Sequence, residues 1–147
     1  MGTIVVGVDG SEGSLAALRF ALEEAKVRGD DIKAVNAWHV PPAAYGAGWA
    51  PGGVDFDEFR RLAEEALDRT MQDSVVIGSG VTVTPVLVEG QPADALCAEA
   101  DGAELLVVGS RGLGGFHGLL VGSVSQQCVH HAPCPVVVVP HRQGAGS

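Results

Sequence analysis

Basic side chains are scarce: 9 Lys and Arg stand against 18 Asp and Glu, a formal net charge of −9 over 147 residues. So acidic a chain is ill suited to clamping DNA or RNA phosphates over a wide surface, because that binding is built on cation–phosphate contacts. Long apolar runs are missing too. No stretch approaches the ~20 consecutive apolar residues that a membrane helix requires. The opening Met1-Gly2-Thr3-Ile4-Val5-Val6 has no basic start and runs straight into a strand-like pattern, unlike a secretory leader. Cysteine is sparse: Cys97, Cys128 and Cys134 cannot all pair and form no C-x-x-C. That excludes a disulfide framework or a zinc site of the usual spacing and points to reduced thiols in the cytoplasm. The expectation is a soluble cytoplasmic protein with neither a nucleic acid nor a membrane as partner.

Several catalytic signatures are absent as well. No G-x-x-x-x-G-K-[ST] occurs, so there is no P-loop lysine. Gly7-Val8-Asp9-Gly10 stands where a dinucleotide fold carries G-x-G-x-x-G. Ser11 lies in no G-x-S-x-G elbow.

Glycine is what the chain has in excess, 21 residues, about twice the usual ~7%. There is no G-X-Y period, and 46% hydrophobic residues is too many for a collagen or a disordered linker. One globular domain over residues 1–142, with a polar, Gly-rich tail at 143–147, accounts for the length.

Short β-branched runs recur at Thr3–Val8, Ile32–Trp38, Val81–Val88, Leu105–Val108 and Pro135–Val139. Their near-continuous apolar character predicts parallel strands covered on both faces. Helical patterns separate them. In the first, Leu15, Leu18, Leu22 and Ala25 share a face; in the second, Phe59, Leu62, Ala63, Ala66, Leu67 and Thr70 form the stripe. A third helix opens at Pro92, where a missing N–H costs nothing. The last has Val124, Cys128 and Val129 as its apolar positions and stops near Ala132, ahead of Pro133 and Pro135. Alternation of this kind with right-handed crossovers is a three-layer, doubly wound α/β fold. The Pro-, Gly- and Ala-rich stretch Val40–Val54 is either a lid or a plain linker.

In such sheets ligands bind beyond the carboxyl ends of the strands. Asp9-Gly10-Ser11 follows the first strand, and Ala37-Trp38-His39 ends the second. After the fourth comes a run with six glycines between Gly109 and Gly122. It leads into Ser123-Val124-Ser125-Gln126, which has the form of a capping box opening a helix. Glycines that let the backbone approach closely, followed by the exposed N–H groups and positive dipole end of a helix, make a site for an anion such as phosphate. A tight surface loop is the plainer alternative. Asp9 reads as a ligand contact or as a turn and cap residue. Arg111 reads as a phosphate partner or as a solvated loop arginine. His117 reads as a weak, pH-sensitive phosphate partner or, more simply, as an exposed side chain, and His130-His131 as cations at a helix C-terminus. Cys128 reads as core, and neither it nor Cys134 has the cationic surroundings of a reactive thiolate.

The order Gly109-x-x-Gly112, nine residues, then Gly122-Ser123 resembles the nucleotide-binding signature of the universal stress protein family. The likeness extends through Val107-Val108-Gly109-Ser110-Arg111-Gly112, Ala132-Pro133-Cys134-Pro135-Val136 and the opening Val5-Val6-Gly7-Val8-Asp9-Gly10-Ser11. The resemblance implies a flavodoxin-like, Rossmann-like five-stranded parallel sheet of order 3-2-1-4-5 that binds ATP, with or without Mg. It implies that Val8 and Asp9 meet the adenosine and that Ala37 offers its backbone to adenine. Val108 and Gly109 would flank the ribose and α-phosphate, while Gly112, Gly122, Ser123, Val124 and Ser125 cradle the phosphates. Asn36 departs from the histidine that many members carry, which bears on packing at the adenine side. The family also tends to form homodimers through its last strand, here Pro135–Val139.

Three functional readings follow: an ATP-binding regulatory protein of the stress response, a slow ATP-hydrolysing enzyme using the same pocket, and a nucleotide-free dimeric scaffold. Hydrolysis needs a group to orient water, and only Asp9, Ser123 and Ser125 are available in the motif. Binding with at most weak turnover is therefore the expectation. Charge placement agrees with an anionic ligand. Residues 1–102 carry 17 acids and 7 bases, whereas residues 103–147 carry 1 acid, Glu104, and 2 bases.

Overall fold

The β-branched runs pair as one parallel sheet because each alternates its side chains between two apolar layers. The computed structural model describes residues 2–40, 56–110 and 123–140. Its strands are β1 (Thr3–Gly7), β2 (Asp31–Trp38), β3 (Val83–Glu89), β4 (Leu105–Gly109) and β5 (Val136–Val139). They are hydrogen-bonded in the order β3-β2-β1-β4-β5, all parallel. The expected strands are all present, displaced by at most two residues at their ends.

Ile4, Val6, Ile32, Ala34, Leu105 and Val107 point into one apolar cluster, shared with α1 (Glu12–Arg28), α2 (Phe56–Met71) and α3 (Ser74–Ile77). Val5, Val35, Leu106 and Val108 point into the other, shared with α4 (Pro92–Glu99) and α5 (Ser123–His131). This is the period-2 alternation of strands buried on both faces. The fold is a single three-layer α/β domain. The stretch Val40–Val54 lies outside the described residues from position 41 onward, and so do residues 143–147.

Local chemistry sets the helix ends. Ser11 caps α1, its hydroxyl accepting from Ser14 N–H, and Gly29 closes it in the left-handed conformation at φ +73°. Pro92 occupies the first turn of α4, and His130 and His131 sit in the last turn of α5. The one-turn α3, capped by Asp73, has no counterpart in the sequence pattern.

Two assigned core positions are exposed. Leu62 is 51% accessible; it lies at the margin of the α2 stripe opposite Leu67, the one residue of that helix that is buried. Val129 is 54% accessible because Ser125 takes the inward position beside Cys128.

Candidate functional site

All five strands point the same way, so the residues following β1, β2 and β4 share one edge of the sheet. After β1, Val8 is buried and its N–H donates to Val35 O at 2.9 Å, the last bond joining that strand to β2. Asp9 then turns the chain into α1. Its Oδ1 accepts from Ser11 N–H at 2.9 Å, and its own N–H donates to Ser14 Oγ at 3.2 Å. Ser14, buried, donates in turn to Ser11 O at 3.0 Å. Of the two readings of Asp9, the cap belongs to Ser11. Asp9 is a turn residue whose Oδ2 has no partner among the described residues. Ser14 is a contributor that the spacing missed, its hydroxyl accepting from Asp9 N–H and donating to Ser11 O.

In β2, Asp31 N–H and Val35 O both bond toward β1, whereas Ile32 N–H and Trp38 O bond toward β3. Odd-numbered residues of this strand therefore face β1. Ala37 turns its N–H and C=O to that side, into the space past the end of β1. Asn36 behaves differently from the packing residue the sequence suggested beside a ligand. It is buried, and its Nδ2 donates to Ala63 O of α2 at 3.0 Å, tying the helix to the strand.

At the end of β4, Val108 is buried in the second cluster, so only its main chain reaches the edge. Gly109 lies against the first turn of α1, where a Cβ would stand 2.8 Å from Gly13 O. Beyond it, Ser110 O accepts from Ser125 Oγ at 3.2 Å, with both residues almost wholly buried. This bond joins the two ends of the glycine-rich segment. Ser125 is thus engaged at the foot of that segment, while Ser123 opens α5 in an exposed position and Val124 is half-buried. Ser123 is the first helical residue, so it does not stand in the cap position that the capping box expected. No acid stands in the first turn of α5, so nothing there opposes the positive dipole end. Arg111, Gly112, His117 and Gly122 lie outside the described residues.

The edge thus gathers the Asp9 carboxylate, the Ala37 backbone, the Val108-Gly109 backbone and the start of α5 at Ser123. Among the described residues no group of three or more His, Cys, Asp or Glu side chains is placed to hold a metal ion. None of the helices described is long and apolar enough to cross a membrane.

A doubly wound parallel sheet of order 3-2-1-4-5 is a flavodoxin-like α/β domain. The chain belongs to the universal stress protein family, whose model matches residues 1–140. It is 37% identical over 135 residues to Universal stress protein Rv2623 of Mycobacterium tuberculosis, covering 92% of this chain and 44% of that one. With Universal stress protein Mb2019 of Mycobacterium bovis it shares 37% over 137 residues, covering 92% and 43%. The chain therefore spans less than half the length of these curated relatives. Among solved structures, the universal stress protein UspA of Lactobacillus plantarum superposes with a TM-score of 0.75 at 25% identity, covering 94% of this chain and 97% of that one. A universal stress protein from Archaeoglobus fulgidus in complex with dAMP gives 0.69 at 28%, covering 95% and 96%. A universal stress protein in complex with cAMP gives 0.70 at 26%, covering 94% and 96%.

Proposed function

We propose that this chain is an adenine-nucleotide-binding regulatory protein of the stress response. ATP is held between the first, second and fourth strand ends and the Gly-x2-Gly-x9-Gly-Ser segment. The observation that carries the reading is the convergence of Asp9, Ala37, Gly109 and Ser123 on one edge of the sheet. The dAMP and cAMP complexes of similar proteins support it.

Each group has a defined task. Asp9 keeps Oδ1 on the Ser11 amide and offers Oδ2 to a ribose hydroxyl. Ala37 presents a donor and an acceptor side by side, matching the ring nitrogen and amino group on one edge of adenine. Guanine carries the opposite order of donor and acceptor. Val8 and Val108 shape the floor through their main chains. Gly109, Gly112, Gly122, Ser123 and Val124 supply amides and a hydroxyl to the phosphates, and Arg111 adds a cation. Ser125 holds the foot of the segment in place. Where Mg accompanies ATP, the Ser123 hydroxyl would be its oxygen ligand within this set, the Asp9 carboxylate being committed to the ribose. The protein works in the cytoplasm as a homodimer through Pro135–Val139, with turnover of ATP slow or absent.

The test is calorimetry and thermal unfolding of wild type and Asp9→Asn with ATP, AMP and cAMP. The amide retains an acceptor for the Ser11 N–H, so the turn persists while the charge is lost. Ligand at ~100 Kd raises wild-type stability by about 2.7 kcal/mol. Loss of a hydrogen bond to a charged group weakens Asp9→Asn by roughly 10- to 100-fold. No stabilisation by any adenine nucleotide at millimolar concentration, with none released from freshly purified protein on denaturation, refutes the reading.

A further inference from the structure

Just past the end of β4, Ser110 carries a hydroxyl that the fold buries and leaves without a partner. The residue is only 4% exposed. Its main chain is engaged on both sides, the N–H donating to Val139 O at 2.9 Å and the C=O accepting from Ser125 Oγ at 3.2 Å. Its own Oγ makes no hydrogen bond among the described residues. Every fully enclosed side-chain oxygen or nitrogen among those residues has a partner, so the Ser110 hydroxyl is not sealed in but keeps an opening.

The strand sets its direction. Leu106 N–H bonds to Pro135 O and Ser110 N–H to Val139 O, so the pleat of β4 runs on in phase through Ser110. Leu106 and Val108 project into the second apolar cluster, and Ser110 is the next residue on that face. Ser125, the third residue of α5, reaches the Ser110 carbonyl, which brings the first turn of α5 beside it. The opening amides of a helix have no acceptor within it. Ser123 at the start of α5 is exposed, and no acid stands in that turn. A free hydroxyl and free amides thus face one spot on the carboxyl edge of the sheet.

We propose that Ser110 is a further binding residue, its hydroxyl donating to a phosphoryl oxygen of the nucleotide alongside the first amides of α5. The inference rests on the nucleotide reading and adds to it a side chain given no task there. A phosphate ester offers several acceptor oxygens, which suits a spot lined by donors. A buried hydroxyl without a partner weakens the empty fold, and a bound phosphate supplies that partner. Ser110 therefore favours the occupied state over the empty one.

The test compares wild type with Ser110→Ala by calorimetry with AMP and with adenosine, and by thermal unfolding without ligand. Loss of a hydrogen bond to a charged group is expected to weaken AMP binding about 10- to 100-fold. Adenosine, which has no phosphate, is expected to bind both proteins equally. The empty variant should melt no lower than wild type, because alanine removes a hydroxyl that bonds nothing. Unchanged AMP affinity in Ser110→Ala, equal weakening of AMP and adenosine, or a lower Tm of the empty variant would each overturn the proposal. Wild type that binds neither probe would refute the nucleotide reading and this inference with it, which sets that failure apart from the other three.

Discussion

Gly109 and Gly13 touch backbone to backbone: a Cβ on Gly109 would lie 2.8 Å from Gly13 O and 3.1 Å from its carbonyl carbon. The fourth strand and the first helix therefore meet at a point with room for hydrogen alone. That contact fixes where the glycine-rich segment leaves the sheet relative to Asp9.

Gly109→Ala is expected to force the two backbones apart. Overpacking of this kind costs about 1–3 kcal/mol, read as a fall in Tm of roughly 2–4 °C per kcal/mol at this chain length. An unchanged Tm would mean that the first turn of α1 yields freely, so the contact constrains nothing.

Ser125→Ala removes the hydroxyl that bonds Ser110 O inside the core. A buried acceptor left without its partner costs about 1–3 kcal/mol. AMP affinity should fall along with Tm, since the end of the segment loses its tie. A Tm loss with unaltered AMP affinity would separate this bond from the binding site.

Asn36→Ala deletes the donor to Ala63 O. The expected outcome is faster amide hydrogen exchange along α2, with exchange in α4 and α5 unaffected, because the bond joins only β2 to α2. Equal acceleration on both faces of the sheet would show a global loss of stability.

Cys128 gives a pH prediction. Burial, followed by the neighbouring Cys97, raises its thiol from 9.0 to about 12. The folded state then holds this proton where the unfolded chain has released it. The stabilisation is complete below pH 9 and is lost as pH climbs toward 12, by up to about 1.4 kcal/mol per pH unit for one proton. Denaturant titrations across that range should show a flatter decline for Cys128→Ala. Identical slopes in the two proteins would place the thiol's proton outside the folding equilibrium.

The strands were legible because each buried run carries its own evidence. Val5 and Val6 need only alternate between two apolar layers, and Pro92 marks a helix start wherever the helix packs. The position of Asp9 after β1, and of Ser123 at the opening of α5, could likewise be read from neighbours in the chain. What escaped depends on contacts made across the fold. Leu62 and Val129 fit the apolar period, yet each lies at the rim of its helix's buried face. Asn36 binds a carbonyl 27 residues away, and Cys97 and Cys128 join one apolar cluster only through the packing of two helices. Ser125 looked like a phosphate hydroxyl from its place in the motif; only the fold brings Ser110 O to it.

The two outer strands are not equivalent. In β5, Pro135 O and Val139 O bond toward β4, so the amides of Val136 and Val138 face outward and can accept another strand. In β3, Thr82 O bonds toward β2 and Gly90 N–H reaches Trp38 O, which turns the odd-numbered residues outward, Pro85 among them. Proline has no N–H to offer there. Among the described residues, strand addition therefore meets an unbroken row of amides along the β5 border and a proline interruption along the β3 border.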